Sequence, residues 1–278
     1  MNVKQLLASR SGIVGITIVA LFVTVALFAP LIAPQDPLSQ NLRDRLKPPG
    51  STGYPLGTDE LGRDILARLI YGARVSLTVT AAALLFGTLI GIPIGLASGF
   101  YGGPVEVVLT HIVDVLLSLP RILVAILLVA TLGLEFWALV IAIGFPDIPI
   151  FARIVRASTL SIKEMDYVTA SRVVGTRDVQ ILARHVLPNL LGPIMVQASY
   201  SMAAAILITG GLSFLGLGIR PPTPEWGGMM AEGRALMRTA PHLVTIPGLA
   251  LAIVILGINL LGDALRQAYD PRFRSTSS

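Results

Sequence analysis

The sequence predicts an all-α integral membrane protein with six transmembrane helices and a cytoplasmic helix pair between spans four and five. Of its 278 residues, 54% are hydrophobic and 13% are charged, and the mean hydropathy is +0.77. Soluble domains average about 25% charged residues, so the charged residues of this chain are too few to cover a globular surface exposed to water. The apolar residues also fall in blocks of about 20, the length that crosses a ~30 Å hydrocarbon core.

The first block follows Lys4 and Arg10. We interpret it as an uncleaved helix rather than a signal peptide, because its uncharged run extends over residues 11–35 and ends in Pro30 and Pro34 without a small-residue cleavage site. The other five spans are expected at residues 75–100, 105–132, 136–155, 190–212 and 243–261.

The spans divide the chain into three segments. Residues 1–74 hold the first transmembrane helix and an external segment, and residues 75–265 form the core transmembrane domain. The core includes a cytoplasmic loop at 156–188 and an external loop at 218–242, and residues 266–278 form a cytoplasmic tail. An even number of spans places both termini on one side, which basic residues near the span ends identify as the cytoplasm.

Four glycines of the second span, Gly87, Gly91, Gly95 and Gly99, lie on one helix face. Because they lack side chains, a second helix can approach closely, which is a main source of helix association in lipid. The spacing therefore predicts a helix-packing face. The sequence leaves open whether the partner helix belongs to this chain or to another subunit.

Three ionisable residues, Asp114, Arg121 and Asp147, fall within predicted spans. Such groups cost ~2.5–3.5 kcal/mol on insertion scales, so they normally face a protein interior or a water-filled path. Asp114 stands three residues after His111 and is placed to pair with it. Arg121 and Asp147 are candidates either for lining a pathway for zwitterionic solutes or for an internal structural pair.

Several catalytic and binding classes are excluded. The chain has no cysteine, and its three histidines lack metal-ligand spacing. Residues 57–62 have the glycine spacing of a phosphate-binding loop, but Arg63 and Asp64 follow where lysine and a hydroxyl are required. Ser213 lies in a near match to a nucleophile elbow that ends in Leu215 instead of glycine. We expect no catalytic, metal or cofactor site, and we assign the net charge of +5 to cytoplasmic loops rather than to nucleic-acid binding.

Residues 163–188 are too polar to span and are patterned as helix, glycine, helix. Met165, Val168 and Val174 recur at helical spacing, and Gly175 stands where a helix commonly ends in a left-handed conformation. Thr176 is placed to cap the next helix. A wedge of this kind, joined to a membrane helix, suits transmission of force from a soluble partner.

This stretch resembles the EAA loop of ABC importer permeases, whose pattern is E-A-A, three residues, glycine, nine residues and then I-x-L-P. Residues 169–171 stand at the E-A-A position, and residues 185–188 stand at the last four. Four residues fit the pattern and three depart from it: Ala170, Gly175, Leu187 and Pro188 fit, and Thr169, Ser171 and His185 depart.

The resemblance extends over nearly the whole chain. Residues 54–77 resemble the segment before span two in the C-type permease of dipeptide and oligopeptide importers. Residues 211–234 resemble that family's loop after span five, and residues 261–274 resemble its carboxyl terminus. A family-typical tryptophan before Arg153 is replaced, with Ile148 at its place.

The resemblance implies a permease subunit that forms half of a pathway for di/oligopeptides or a related small solute. It implies a second homologous permease chain, two cytoplasmic ATPase subunits that hold ATP and Mg, and an extracytoplasmic solute-binding protein. Contact with the solute-binding protein is expected at Thr58 and at Trp226, an aromatic of the kind enriched at interfaces. Coupling to the ATPase is expected at Tyr167, Val168, Ala170, Ser171, Gly175, Leu187 and Pro188.

Two other functions were weighed. An ion-coupled secondary transporter acting without an ATPase needs its own coupling sites and often shows inverted repeats. The sequence has no evident repeat of that kind, and only Asp114 and Asp147 are candidates for coupling. A membrane-embedded hydrolase lacks any nucleophile–base or metal spacing here.

Overall fold

The computed structural model describes residues 9–33 and 35–269, which fold into helices joined by turns, with isolated β-bridges and no longer strand in that range. The amino-terminal basic residue Lys4, Pro34 and most of the tail at 266–278 lie outside the described residues. The α-helices are α1 (Arg10–Leu27), α2 (Ala29–Ile32), α3 (Ile65–Tyr101), α4 (Gly103–Leu117), α5 (Arg121–Leu132), α6 (Phe136–Gly144), α7 (Asp147–Lys163), α8 (Asp166–Val173), α9 (Asp178–Ile181), α10 (Leu187–Phe214), α11 (Trp226–Gly233) and α12 (His242–Tyr269).

Five helical stretches of the described chain are long and apolar enough to cross a membrane: α1, α3, α6 with α7, α9 with α10, and α12. The third expected span, 105–132, is not one helix, because α4 and α5 meet at an angle of 90°. Pro120 lacks an amide hydrogen and disfavours helical geometry at Leu119 before it. The expected third span is therefore broken at Pro120, and the pair is either one bent span or a re-entrant segment.

Helix α3 begins well before residue 75, the expected start of its span. Asp64 caps it by accepting hydrogen bonds from the amides of Leu66 and Ala67. With 37 residues it is roughly 55 Å long, so it extends past the ~30 Å hydrocarbon core. The first turns of α3 thus belong to the external segment. At the other membrane face, α7 continues to Lys163, beyond the expected end at residue 155.

The four spaced glycines pack α3 against α7 of the same chain. A Cβ on Gly87 would lie 2.9 Å from Asp147 Cβ, and one on Gly91 would lie 2.5 Å from the carbonyl oxygen of Ile148. Gly95 and Gly99 meet the next turns of α7 equally closely. The sequence left open whether the partner helix belongs to this chain or to another subunit. In the structure the partner is α7 of the same chain.

The amino-terminal helix α1 packs against α12 through glycines in the same way. A Cβ on Gly15 of α1 would lie 2.6 Å from the backbone nitrogen of Leu261, and one on Gly257 would lie 2.5 Å from Ile18 Cγ2. Helix α12 therefore packs against α1 on one side and α10 on the other. This contact attaches the first span to the core.

Candidate functional site

Helix α8 ends in a Schellman motif at Gly175, whose φ is +80°. The amide of Gly175 donates to the carbonyl of Arg172 at 2.9 Å, and the amide of Thr176 donates to Ser171 at 3.1 Å. The glycine ends the helix as predicted. The expectation that Thr176 caps the next helix is wrong, because its backbone completes this motif and Arg177 precedes α9 without a side-chain cap.

The second helix of the expected pair is not a separate element. Helix α9 continues through a π-helical turn, Leu182–Val186, into α10. Pro188 cannot donate a hydrogen bond to the preceding turn, and the amide of Leu187 bonds to the carbonyl of Leu182, five residues back. Helix α8 is therefore followed by one continuous helix, which runs from α9 through the fifth span.

Val168 anchors α8 to the membrane helices. It is fully buried in a cluster with Ile162 of α7, Ile181 of α9 and Leu190 of α10. The expectation that Val168 contacts a soluble partner is therefore wrong in this structure, because its side chain faces the transmembrane core.

The outer side of the same region exposes apolar side chains. Val173, Val174 and Val179 are 81%, 79% and 70% exposed, and we call these three residues the valine face. Tyr167 and Ala170 are also exposed. Sequence reasoning missed the valine face, although β-branched residues on both sides of a glycine in a polar loop were visible. An exposed apolar patch in a loop that is otherwise polar is typical of a protein interface.

The remaining residues assigned to coupling have mixed surroundings. Ser171 is half-buried and donates its hydroxyl to the carbonyl of Tyr167 at 2.8 Å. Pro188 is exposed, whereas Leu187 is half-buried and packs against the cluster around Val168. Ser171 and Leu187 therefore make contacts within this chain, and these contacts help to set the shape of the loop.

In the two segments that were expected to be external, Thr58 and Trp226 are both fully buried. The Thr58 hydroxyl donates to the carbonyl of Asp44. The Trp226 indole donates to the carbonyl of Leu69 at 3.0 Å, and its ring meets Phe22 edge-on with centroids 5.7 Å apart. Direct contact of Thr58 or Trp226 with an external protein is therefore wrong for this structure, because both side chains hold the external segments against the helices.

A buried charge network joins the two external segments. Arg63 bonds to Asp59 at 2.6 Å and to Glu232 at 2.7 Å, and Arg68 reaches the same two carboxylates at 2.5 and 2.9 Å. Both arginines are almost completely buried. Glu232 lies on α11, so the network fixes α11 against the segment that precedes α3. Sequence reasoning missed it, because only tertiary contact brings these residues together.

Glu225 holds the start of α11 in place. Its carboxylate is buried and accepts hydrogen bonds from the amides of Gly227 and Gly228 at 3.0 and 2.9 Å. The Ser76 hydroxyl of α3 lies 3.1 Å from the same carboxylate. A carboxylate at a helix amino terminus is favoured by the helix dipole, so the loop at 218–242 is a structured element rather than a plain linker.

Arg121 and Asp147 form an ion pair. The carboxylate of Asp147 is fully buried and also accepts a hydrogen bond from Ser201 of α10 at 3.2 Å. Arg121 is partly exposed and borders a cavity of about 160 Å³ at the bend between α4 and α5. The pair thus ties the bend to the amino terminus of α7.

Two further ion pairs connect α4 with α7. Asp114 bonds to Arg153 at 2.8 Å, and Glu106 bonds to Arg156 at 2.5 Å. The expected pairing of Asp114 with His111 is wrong, because the His111 ring lies 3.0 Å from the carbonyl of Val107 on its own helix. Together with Arg121–Asp147, three pairs hold the bent segment along α7.

Two family models match the sequence. Residues 91–275 match the binding-protein-dependent transport system inner membrane component. Residues 2–49 match the N-terminal transmembrane domain of oligopeptide transport permease C. The first match alone covers more than half of the chain.

Similar proteins cover almost the full length. The dipeptide transport system permease protein DppC of Alkalihalophilus pseudofirmus is 40% identical, over 98% of this chain and 89% of its own length. The glutathione transport system permease protein GsiD of Escherichia coli is 42% identical, over 92% of this chain and 84% of its own.

A solved structure supports the fold. The methionine ABC transporter MetNI, in an inward-facing conformation, has a chain that aligns with a TM-score of 0.58 at 20% identity, over 72% of this chain and 95% of that one. The resemblance seen in the sequence motifs is confirmed. This chain belongs to the binding-protein-dependent family of inner-membrane transport components and carries the amino-terminal domain of its oligopeptide permease C branch.

Proposed function

We propose that this chain is the permease subunit of an ATP-driven importer and forms half of a pathway for peptides. Family membership supports the transport role, and relatives named for dipeptide and glutathione transport support a short peptide as the solute. The structural observation that carries the proposal is the valine face of α8 and α9, which is exposed beside a helix fixed to the transmembrane core.

Helix α8 is the docking element for the ATPase in this proposal. Tyr167 and Ala170 on its outer side, together with the valine face, are exposed to a partner. Val168 on its inner side packs against the core. Movement of α8 is passed through Ile181 to the continuous helix α9–α10, which reaches the external face. Closure of the ATPase subunits on ATP would in this way change access to the pathway.

The complete complex contains a second homologous permease chain, two ATPase subunits and an extracytoplasmic solute-binding protein. ATP and Mg are held by the ATPase subunits, and this chain binds no cofactor and no nucleic acid. Both termini are cytoplasmic, an orientation supported by Arg153, Arg156, Lys163, Arg172 and Arg177 near the inner ends of the spans.

The solute-binding protein docks on exposed residues of the external segments rather than on Thr58 or Trp226. Thr52 and Thr223 are exposed and belong to different segments. The buried Arg68–Glu232 network holds those segments together, so docking on one segment also affects the position of the other.

Arg121 lines the pathway, and Asp147 serves as its internal counter-ion. The guanidinium side of the pair is partly exposed beside the cavity at the α4–α5 bend, whereas the carboxylate is fully enclosed. A neutral pair of this kind suits zwitterionic solutes, since it adds no net charge to the path.

Reconstitution into proteoliposomes tests the proposal. Dipeptide uptake is measured with the complete complex, with the complex lacking its ATPase subunits, and with a non-hydrolysable ATP analogue. We expect uptake only with the complete complex and hydrolysable ATP. Uptake that persists without the ATPase and follows an ion gradient would identify a secondary transporter instead.

A further inference from the structure

An apolar groove lies between α10, α11 and α12 and has a volume of about 400 Å³. Every residue that lines it has an apolar side chain or is glycine. The lining includes Leu207, Gly211, Phe214, Met230, Met237 and Ile255. With no hydrogen-bonding side chain available, the groove suits hydrocarbon rather than a peptide or another polar solute.

The groove lies in the external half of the membrane region. Leu207 and Phe214 belong to the last turns of α10, and Val244 and Leu251 belong to the first half of α12. Leu207 is 65% exposed, so the groove is open at its side.

Two arginines stand at the external end of the groove. The Arg234 guanidinium lies over the Phe214 ring, 5.6 Å from its centroid, and Arg238 directly follows Met237. Both arginines are exposed, and neither forms an ion pair within the described chain. Arginine is disfavoured near span ends on the external side, so two of them beside an apolar groove indicate an anionic group at this level.

We infer that this groove binds an anionic phospholipid of the external leaflet. One acyl chain occupies the groove, and Arg234 and Arg238 hold the phosphate, which guanidinium groups bind with paired hydrogen bonds. A helix of the second permease chain is the other occupant with an apolar surface. The two exposed arginines favour the lipid, because every phospholipid of this class carries a phosphate at this level, and the Gly211→Leu variant below tests the other occupant. The inference is independent of the transported solute.

Lipid retention measures this site directly. The full chain, purified with its partner subunits, is placed in nanodiscs of phosphatidylcholine with phosphatidylglycerol, and retained lipid is counted by native mass spectrometry. We expect the wild type to retain phosphatidylglycerol and the double variant Arg234→Gln/Arg238→Gln to retain it about tenfold less. Arg220→Gln is the matched control, since Arg220 is exposed and, unlike Arg234, does not lie over a ring that lines the groove.

A second variant tests the hydrocarbon part. A Cβ on Gly211 meets no atom within 4 Å, so Gly211→Leu fills the groove without strain and should also lower phosphatidylglycerol retention. Equal retention in the wild type and the double arginine variant would overturn the inference. If Gly211→Leu releases the second permease chain and leaves lipid retention unchanged, the groove is a contact between chains and the lipid inference is wrong.

Discussion

Arg172 of α8 places its guanidinium 4.7 Å from the ring centroid of Phe100, next to the last residue of α3. This cation–π contact joins the exposed helix α8 to the long helix α3, which begins next to the segment at residues 36–64. Val168 adds a buried apolar contact on the same side of α8. The helix is therefore fixed to the core by one side and leaves the valine face free for a partner.

Val173→Asp should uncouple transport from ATP hydrolysis. Val173 is 81% exposed, so the change places a charge on the docking surface without disturbing the core. We expect peptide uptake to fall about tenfold or more, as at an interface hot spot, with unchanged membrane abundance. Val173→Thr, which keeps the shape of the side chain, is the control. Normal uptake by Val173→Asp would exclude the valine face from the ATPase contact.

Gly175→Val should strain the turn that ends α8. The φ of +80° costs a β-branched residue about 1 kcal/mol or more, and a Cβ there meets no atom within 4 Å. Backbone geometry is thus the only source of the effect. Gly175→Asn tolerates this conformation and should transport far better than Gly175→Val. Equal transport by the two variants would show that the turn does not set the position of α8.

Ala170→Asp tests the close approach of a partner to the same helix. Ala170 is exposed, so the protein should insert and fold normally. A charge that becomes buried at an interface without a partner is costly, and we expect loss of stimulation of ATPase activity by the loaded solute-binding protein. Retained stimulation at wild-type abundance would contradict the proposed docking.

Gly91→Ala should destabilise the packing of α3 against α7. The added methyl would lie 2.5 Å from the carbonyl oxygen of Ile148, and overpacking typically costs about 1–3 kcal/mol. Leu89→Ala is the control, because Leu89 is 71% exposed. Thermal unfolding in detergent compares the two variants. A smaller loss of stability in Gly91→Ala than in Leu89→Ala would contradict the close helix contact.

Arg121→Gln should destabilise the chain more than Asp147→Asn does. Removing Arg121 leaves a fully buried carboxylate without its counter-ion, and breaking a buried pair costs about 3–5 kcal/mol. Removing Asp147 leaves a guanidinium that is partly exposed, so this change should cost the chain less stability. The double variant should be more stable than Arg121→Gln alone. Additive losses in the double variant would show that the two residues act independently.

The membrane fold was predictable from the apolar blocks, but the bend between α4 and α5 was not. Pro120 was visible in the sequence, but the apolar run resumes after Arg121, so composition gave no sign of the 90° bend. An interruption of the fourth span at Pro146 and Pro149, in contrast, was expected. Bent transmembrane helices are decided by which neighbours satisfy the freed backbone groups. Here the ion pair of Arg121 with Asp147 stands at the break.

The candidate sites were predictable in their local features only. Gly175 was identified because a left-handed helix end follows from local sequence. Trp226 was misplaced because an aromatic among prolines and glycines is typical of a surface loop, whereas here it fills the space over Gly72. Arg63 and Arg68 belong to a network with Glu232, more than 160 positions away in sequence, which no local pattern can indicate.

Crosslinking from α8 tests the central claim most directly. The chain has no cysteine, so Val173→Cys and Thr223→Cys introduce single reactive sites on opposite faces of the proposed topology. In the complete complex we expect Val173→Cys to crosslink to an ATPase subunit, and Thr223→Cys to crosslink to the solute-binding protein. A crosslink from Thr223→Cys to the ATPase, with none from Val173→Cys, would contradict both the orientation and the role of α8.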